Sequence, residues 1–187
     1  MTEIISKDVY NEFVDYPLFA YNCMAYLVNS SDAELLWKLL YYNDADAWKS
    51  DVDHPNLTDV QKRNLIYSGQ GDGNNYRAFL DFGLDDSWTA EACQIRISPV
   101  GLYPKSHIVG RVMMGFEVYS HFAINTLSNY QTRIDTITQL FLKIFNGTTV
   151  GAGLGRLFFN AKAGSKSTSI IIGTIPYKGK RTIMCNW

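Results

Sequence analysis

The chain has 187 residues, a formal net charge of -1 and 47% hydrophobic residues, which is length and apolar content for one domain with a substantial core. Charged residues make up 19%, below the roughly 25% of an average soluble domain, while aromatics reach 14% with 12 Tyr and 10 Phe. This balance excludes a bulk electrostatic grip on nucleic acid, which needs a strongly basic face, and it leaves Asn, Ser, Thr, Gly and Tyr to cover a surface suited to packing against other protein subunits.

The first eight residues carry acids and no basic segment followed by an apolar run, so no signal peptide is expected. No stretch is long and apolar enough for a membrane span, and no membrane partner is expected. A first helix is predicted over 7–28 from Val9, Phe13, Tyr16, Phe19, Ala20, Cys23, Met24 and Leu27, spaced by threes and fours, with Pro17 kinking or splitting it near Tyr16. A second starts at Ser31 with Glu34 three residues on, a capping box, and carries Leu35, Leu36, Leu39 and Leu40 as a stripe beside Trp37. A third starts at Thr58 with Gln61, again a capping box, and runs to about Tyr67 with a stop at Gly69.

Alternation then predicts strands over 76–82, 91–99 and 108–120. In the second of these Cys93, Ile95 and Ile97 share one side, and Ala92, Gln94, Arg96 and Ser98 the other. In the third, Val112, Met114, Phe116 and Val118 share a face. The clearest helix follows: Ser128 with Gln131 marks its start, Ile134, Ile137, Phe141 and Ile144 form its stripe, and Asn146-Gly147 stops it. Arg133, Asp135, Thr138, Gln139 and Lys143 fall mostly off that stripe. A short strand over 155–160 and a terminal hairpin from 169–175 and 181–185 complete the chain. The order predicts a single α+β domain over 1–187, with N-terminal helices over 1–70, then over 74–187 a small mixed or antiparallel sheet with one long helix packed across it.

Few residues carry chemistry in a recognisable pattern. Gly151, Gly153 and Gly155 follow a helix and open a strand, whereas a phosphate loop must follow a strand and open a helix; Gly164-Ser-Lys-Ser167 lacks the required spacing. His54, His107 and His121 form no metal-ligand pair, and the Asp44/Asp46, Asp51/Asp53 and Asp85/Asp86 pairs lack the pattern of a calcium loop. Cys23, Cys93 and Cys185 are isolated and read as reduced, semi-buried thiols of a reducing cytoplasm. His121 reads as a polar cap at a strand-to-helix junction. An enzyme would have to use His121 with a nearby acid such as Glu117. Arg111, Phe116, Tyr119, Arg156, Phe158 and Lys162 are the material for a single-strand nucleic-acid platform, which the net charge disfavours. No catalytic, cofactor or metal site is expected.

The stretch Glu34-Leu-Leu-Trp-Lys-Leu-Leu-Tyr-Tyr42, followed by Asn56-Leu-Thr-Asp-Val-Gln-Lys-Arg-Asn-Leu-Ile66, resembles the amino-terminal part of neck and tail-completion proteins of tailed bacteriophages. The layout of the second half is similar too: a strand ending in Glu117-Val-Tyr-Ser-His121, a helix with Arg133-Ile-Asp135, Asn146-Gly147, then Gly153-Leu-Gly155 and Phe158. The resemblance spans roughly residues 30–160. It implies a non-enzymatic virion protein, tail terminator-like, that forms an oligomeric ring at the head-tail junction, joins the capsid portal to the tail and leaves a DNA channel. The partners implied are further copies of itself, other neck, portal or tail proteins, and passing genomic DNA without sequence specificity. Trp48, Trp88 and Trp187 are the candidate subunit-interface anchors, and Lys162, Lys166, Lys178, Lys180 and Arg181 the candidate basic lining of the channel. Two rival readings remain: the His121/Glu117 enzyme acting on a small molecule or nucleotide, and a single-strand or host-interaction module using the basic tail.

Overall fold

In a computed structural model, which describes residues 18–80, 90–104, 110–150, 156–159, 165–170 and 178–186, the elements follow the expected order. Helix α1 (Leu18–Asn29) begins directly after Pro17. Proline lacks the N–H and fixes φ, so it suits a helix start and breaks an interior. The rest of the expected first helix, 7–17, lies outside the described residues. Ala20, Cys23, Met24, Leu27 and Val28 are its buried face.

The second helix starts differently from the expected box. Ser30, not Ser31, is the cap: its hydroxyl accepts from the Asp32 amide at 3.3 Å and opens a 3-10 turn over Ser31–Ala33, which runs into α2 (Glu34–Tyr41). Glu34 turns instead to the buried ammonium of Lys62, 2.5 Å away, a charged donor that outcompetes a backbone amide. Leu36, Trp37, Lys38, Leu39 and Leu40 are all buried in α2. The Trp37 indole N–H donates to the Leu27 carbonyl at 2.9 Å and fastens α2 to α1. At α3 (Asp59–Asn64) the Thr58/Gln61 capping box is formed as expected. The helix stops before Tyr67 because Ile66 makes a parallel bridge to Ala78, while Gly69 sits at φ 88° in the following turn.

The sheet is mixed. Its order is β1 (Ala78–Phe79), β2 (Cys93–Pro104), β3 (Gly110–His121), β6 (Lys178–Asn186), β4 (Phe158–Phe159), with β5 (Ser165–Ile170) also on β6. The β1–β2 pair is parallel and the others are antiparallel. Strand β2 runs five residues beyond the expected end at Pro99, through a bulge between Pro99 and Gly101. Proline removes one ladder donor, and β1 pairs β2 only at Ile95 and Arg96, so the missing N–H leaves no partner strand unsatisfied there. The terminal hairpin is present, with its strands at 165–170 and 178–186.

The core lies between this sheet and the helices. Helix α4 (Arg133–Phe145) crosses β3, and the Phe116 ring sits 5.3 Å from Phe141 and 4.9 Å from Phe145. Val112, Met114 and Val118 join Phe116 on the covered face, as the alternation predicts. Burying each such side chain contributes about 1.5–3 kcal/mol. Two expectations about α4 need correction. Its cap is Thr132, whose hydroxyl accepts from the Asp135 amide at 3.1 Å, because Ser128 is engaged elsewhere. Arg133, placed off the apolar stripe, is completely buried. The opposite face of β2 is buried as well: the Arg96 guanidinium lies over Phe79 at 5.5 Å and over Tyr119 at 5.0 Å, so its charge is held by two aromatic faces.

Candidate functional site

Two connections meet where β3 ends at His121: residues 42–58, between α2 and α3, and residues 122–132, between β3 and α4. Arg133 fixes both. Its Nε donates to the Ile124 carbonyl at 3.0 Å, while its terminal nitrogens donate to the carbonyls of Leu39 (2.5 Å), Tyr42 (2.7 Å) and Asp44 (2.7 Å). The last carbonyls of α2 have no amide within the helix to take, so a guanidinium at the helix C-terminus satisfies them and meets the negative end of the dipole. Lys38, also buried, donates to the Lys49 carbonyl and to Ser50, and anchors the same loop further along.

A second set of contacts joins the two connections at the surface. The Ser128 amide donates to the Ala45 carbonyl at 2.9 Å. The Trp48 indole N–H donates to the Ser128 hydroxyl at 2.9 Å, and that hydroxyl donates to Asp46 at 2.5 Å. Lys49 pairs with Asp46 at 2.9 Å. The Ser128 hydroxyl and then Lys49 hold the Asp46 carboxyl below its ordinary range.

His54 is gripped between carboxylates. Nδ1 lies 2.8 Å from Asp51 and Nε2 lies 3.0 Å from Asp44, and the ring stands edge-on to Tyr42. An ionised carboxylate only accepts, so both ring nitrogens can donate at once only when the imidazole is protonated. Asp51, followed by Asp44, pushes its pKa up accordingly, and the bond from His54 pulls Asp51 down. The acid pairs 44/46 and 51/53 are therefore turn residues, as expected, with the added task of clamping a histidine. Among the described residues no group of three His, Cys, Asp or Glu side chains could hold a metal ion.

On this pinned backbone stand exposed apolar side chains: Tyr130 and Val52 at 94%, Phe122 at 70%, and Trp48 at 37%. Tyr130 also sits at φ 64°, a left-handed position that non-glycine residues seldom adopt. Of the three candidate interface tryptophans, the structure thus places Trp48 on a surface; Trp88 and Trp187 lie outside the described residues. Lys162 lies outside them too. Lys166 is on β5, and Lys178, Lys180 and Arg181 are on β6. Arg181 pairs with Val118, Lys180 with Tyr119 and Lys178 with His121 of β3, and Lys166 pairs with Thr182 of β6.

His121 caps the 3-10 turn Phe122–Ile124, its Nδ1 accepting from the Ala123 amide at 3.2 Å, the role the sequence assigned it. Glu117 accepts from the Tyr119 hydroxyl at 2.7 Å. Four residues of extended strand put these two about 13 Å apart, so they do not form a nucleophile-base couple. Phe116 and Tyr119, recruited above to a stacking platform, are buried. Cys23 and Cys93 are buried free thiols, each pushed up to about 12 by burial and hence poor nucleophiles at neutral pH. Sequence reading missed Arg133, Ser128 and Tyr130. The Tyr-Tyr-Asn-Asp and Asn-Tyr-Gln-Thr segments mark turns, but nothing local says that the two turns meet.

The YomW family model matches residues 33–184, most of the chain, including both connections and the sheet. The chain belongs to the YomW family. That family is phage-associated, from the yom region of SPbeta-like Bacillus phage, so the protein is phage-encoded. No curated protein matches it. The YomW match overlaps the stretch on which the resemblance to phage proteins rests. Among the described residues no helix is long and apolar enough to cross a membrane.

Proposed function

We propose that this YomW-family protein is a structural, non-enzymatic virion component that assembles into a ring at the head-tail junction. It acts as a tail terminator or neck protein, connects the capsid portal to the tail, and leaves a channel through which DNA passes without sequence specificity. One observation carries this reading: Tyr130, Phe122, Val52 and Trp48 are displayed to solvent on connections held rigid by a buried arginine. An exposed aromatic on a mobile loop loses much of its binding energy to ordering, whereas one on a fixed backbone does not. Tyr and Trp are the residue types that anchor interfaces. The sparse surface charge and the phage family favour a partner that is protein.

The test is the mass of the purified protein under native conditions, with negative-stain imaging of the same sample. Closed annuli and a mass that is a whole multiple of 21.2 kDa are expected. A protein that stays monomeric at high concentration and binds neither portal nor tail proteins refutes the reading. Detection in purified virions, at one ring per particle, places it at the junction.

A further inference from the structure

The two ends of the His54 ring do different work in the connection that displays Val52 and Trp48. Nδ1 lies 2.8 Å from Asp51 and Nε2 lies 3.0 Å from Asp44. A neutral imidazole has a single N–H, so one of these carboxylates then faces a lone pair at hydrogen-bond distance. Asp51 also accepts from the His54 backbone amide at 2.9 Å, which holds that end of the turn a second time and keeps the N–H there. The end that opens is therefore Nε2 to Asp44. Among the described residues, that contact is the one hydrogen bond tying residues 51–54 to the rest of the surface.

Asp44 leads on to the displayed aromatics. The oxygen that meets His54 also accepts from the Asp46 amide at 2.8 Å, the Asp46 carboxylate takes the Ser128 hydroxyl, and Ser128 takes the Trp48 indole N–H. Arg133 of α4 holds the Asp44 carbonyl from behind. The remaining charged and titratable neighbours are few. Lys49 pairs with Asp46, Asp53 precedes the histidine in the chain, and Tyr42, at the end of α2, sets its ring edge-on to the imidazole while its hydroxyl donates to the Pro55 carbonyl. Acids thus outnumber bases around the ring. The bond to Asp51 raises the His54 pKa above its ordinary 6.5, with Asp44 adding to the rise and desolvation opposing it.

We infer that His54 is a proton-operated latch on the contact between copies: protonated, it holds the Val52 turn and the Trp48–Ser128 side as one surface, and neutral, it lets go of Asp44 and the Val52 turn leaves that surface. This rests on the ring reading above and names the regulation of its interface. The latched form binds the proton more tightly than the open one, so the latch is complete below pH 6.5 and is released as pH rises through the raised value. Linkage runs both ways. Assembly that selects the latched form raises the pKa further, and each unit of that rise corresponds to about a ten-fold gain in affinity per contact.

The test follows the His54 imidazole by NMR, and the native mass, between about pH 6 and pH 9 at constant ionic strength. The parent is compared with His54→Gln and Asp44→Asn, each checked for folding by circular dichroism. The imidazole should titrate above 6.5 in the parent, and assembly should weaken about ten-fold across that titration. Asp44→Asn separates the latch from a general effect of pH. Its amide nitrogen can donate to the bare Nε2 while its oxygen still accepts from Asp46, so this variant should stay assembled on the alkaline side. Gln reaches one carboxylate at a time, so His54→Gln should assemble weakly across the whole range.

A parent that assembles equally well on both sides of the His54 titration overturns the latch and leaves the ring standing. So does either variant if it keeps the parent's pH profile, and so does a His54 that titrates at or below 6.5. A parent that is monomeric at every pH overturns the ring reading, and the latch with it.

Discussion

Arg133→Met is the most informative single substitution, because it keeps the side-chain stem and deletes four charge-assisted hydrogen bonds at once. Each such bond contributes about 1.5–3 kcal/mol, yet the four do not simply add. The acceptors at Tyr42 and Asp44 are partly buried and can be rehydrated, so their loss is small. Those at Leu39 and Ile124 are buried, and each carbonyl left without a donor costs about 1–3 kcal/mol. Against this, burial already penalises the guanidinium, holding its pKa below the ordinary value, and the substitution relieves that penalty. The balance is a loss of about 3–5 kcal/mol, a third or more of the stability of an average domain. Urea denaturation should show a lower midpoint at unchanged slope, and amide exchange should speed up first in 42–58 and 122–132. Arg133→Lys should fall between parent and Met variant, since one ammonium cannot reach all four carbonyls. A loss under about 1 kcal/mol for the Met variant, with exchange in the two connections unchanged, would refute the claim that this residue pins them.

Other consequences are equally direct. His54 has a folded-state pKa above its ordinary 6.5, so its bonds to Asp51 and Asp44 stabilise the loop fully below that pH and are lost as pH rises through the raised value. Asp51 is shifted down, so its contribution is present above 3.8 and lost as pH falls through the lowered value. Exchange protection across 44–54, corrected for intrinsic rates, should decline on the alkaline side, and His54→Gln should abolish that decline; a flat profile in the parent contradicts the clamp. Gly115→Ala places a methyl 2.5 Å from the Val100 side chain and should destabilise by about 1–3 kcal/mol in thermal unfolding, with Val100→Ala restoring most of it. Lys62→Met strands Glu34, 26% exposed, and should cost about 2–3 kcal/mol, while Lys62→Met with Glu34→Leu should cost clearly less. Equal losses for the single and double variants would mean the pair is not coupled.

Much of the fold is written locally. Periodicity alone places Ile137, Phe141 and Ile144 on one side of α4 and Val112, Met114, Phe116 and Val118 on one side of β3, since burial of a continuous face selects a period of 3.6 or 2. The Thr58/Gln61 box and the His121 cap are also local, each made within three residues. Charged side chains are where local reading stops. Arg133, Arg96, Lys38 and Lys62 are all buried, and nothing near them in sequence says so, because their acceptors are carbonyls, rings or carboxylates up to 94 residues away. Ser128 shows the same thing in reverse: it reads as a helix cap, but Trp48 and Asp46, some 80 positions earlier, claim its hydroxyl and the cap passes to Thr132. The sequence by itself determined the class of fold, the apolar faces and the sparse ionic surface. Only the tertiary structure decided which polar groups are buried and which two turns meet beneath Tyr130, because a buried charge is tolerated solely where distant segments bring it partners.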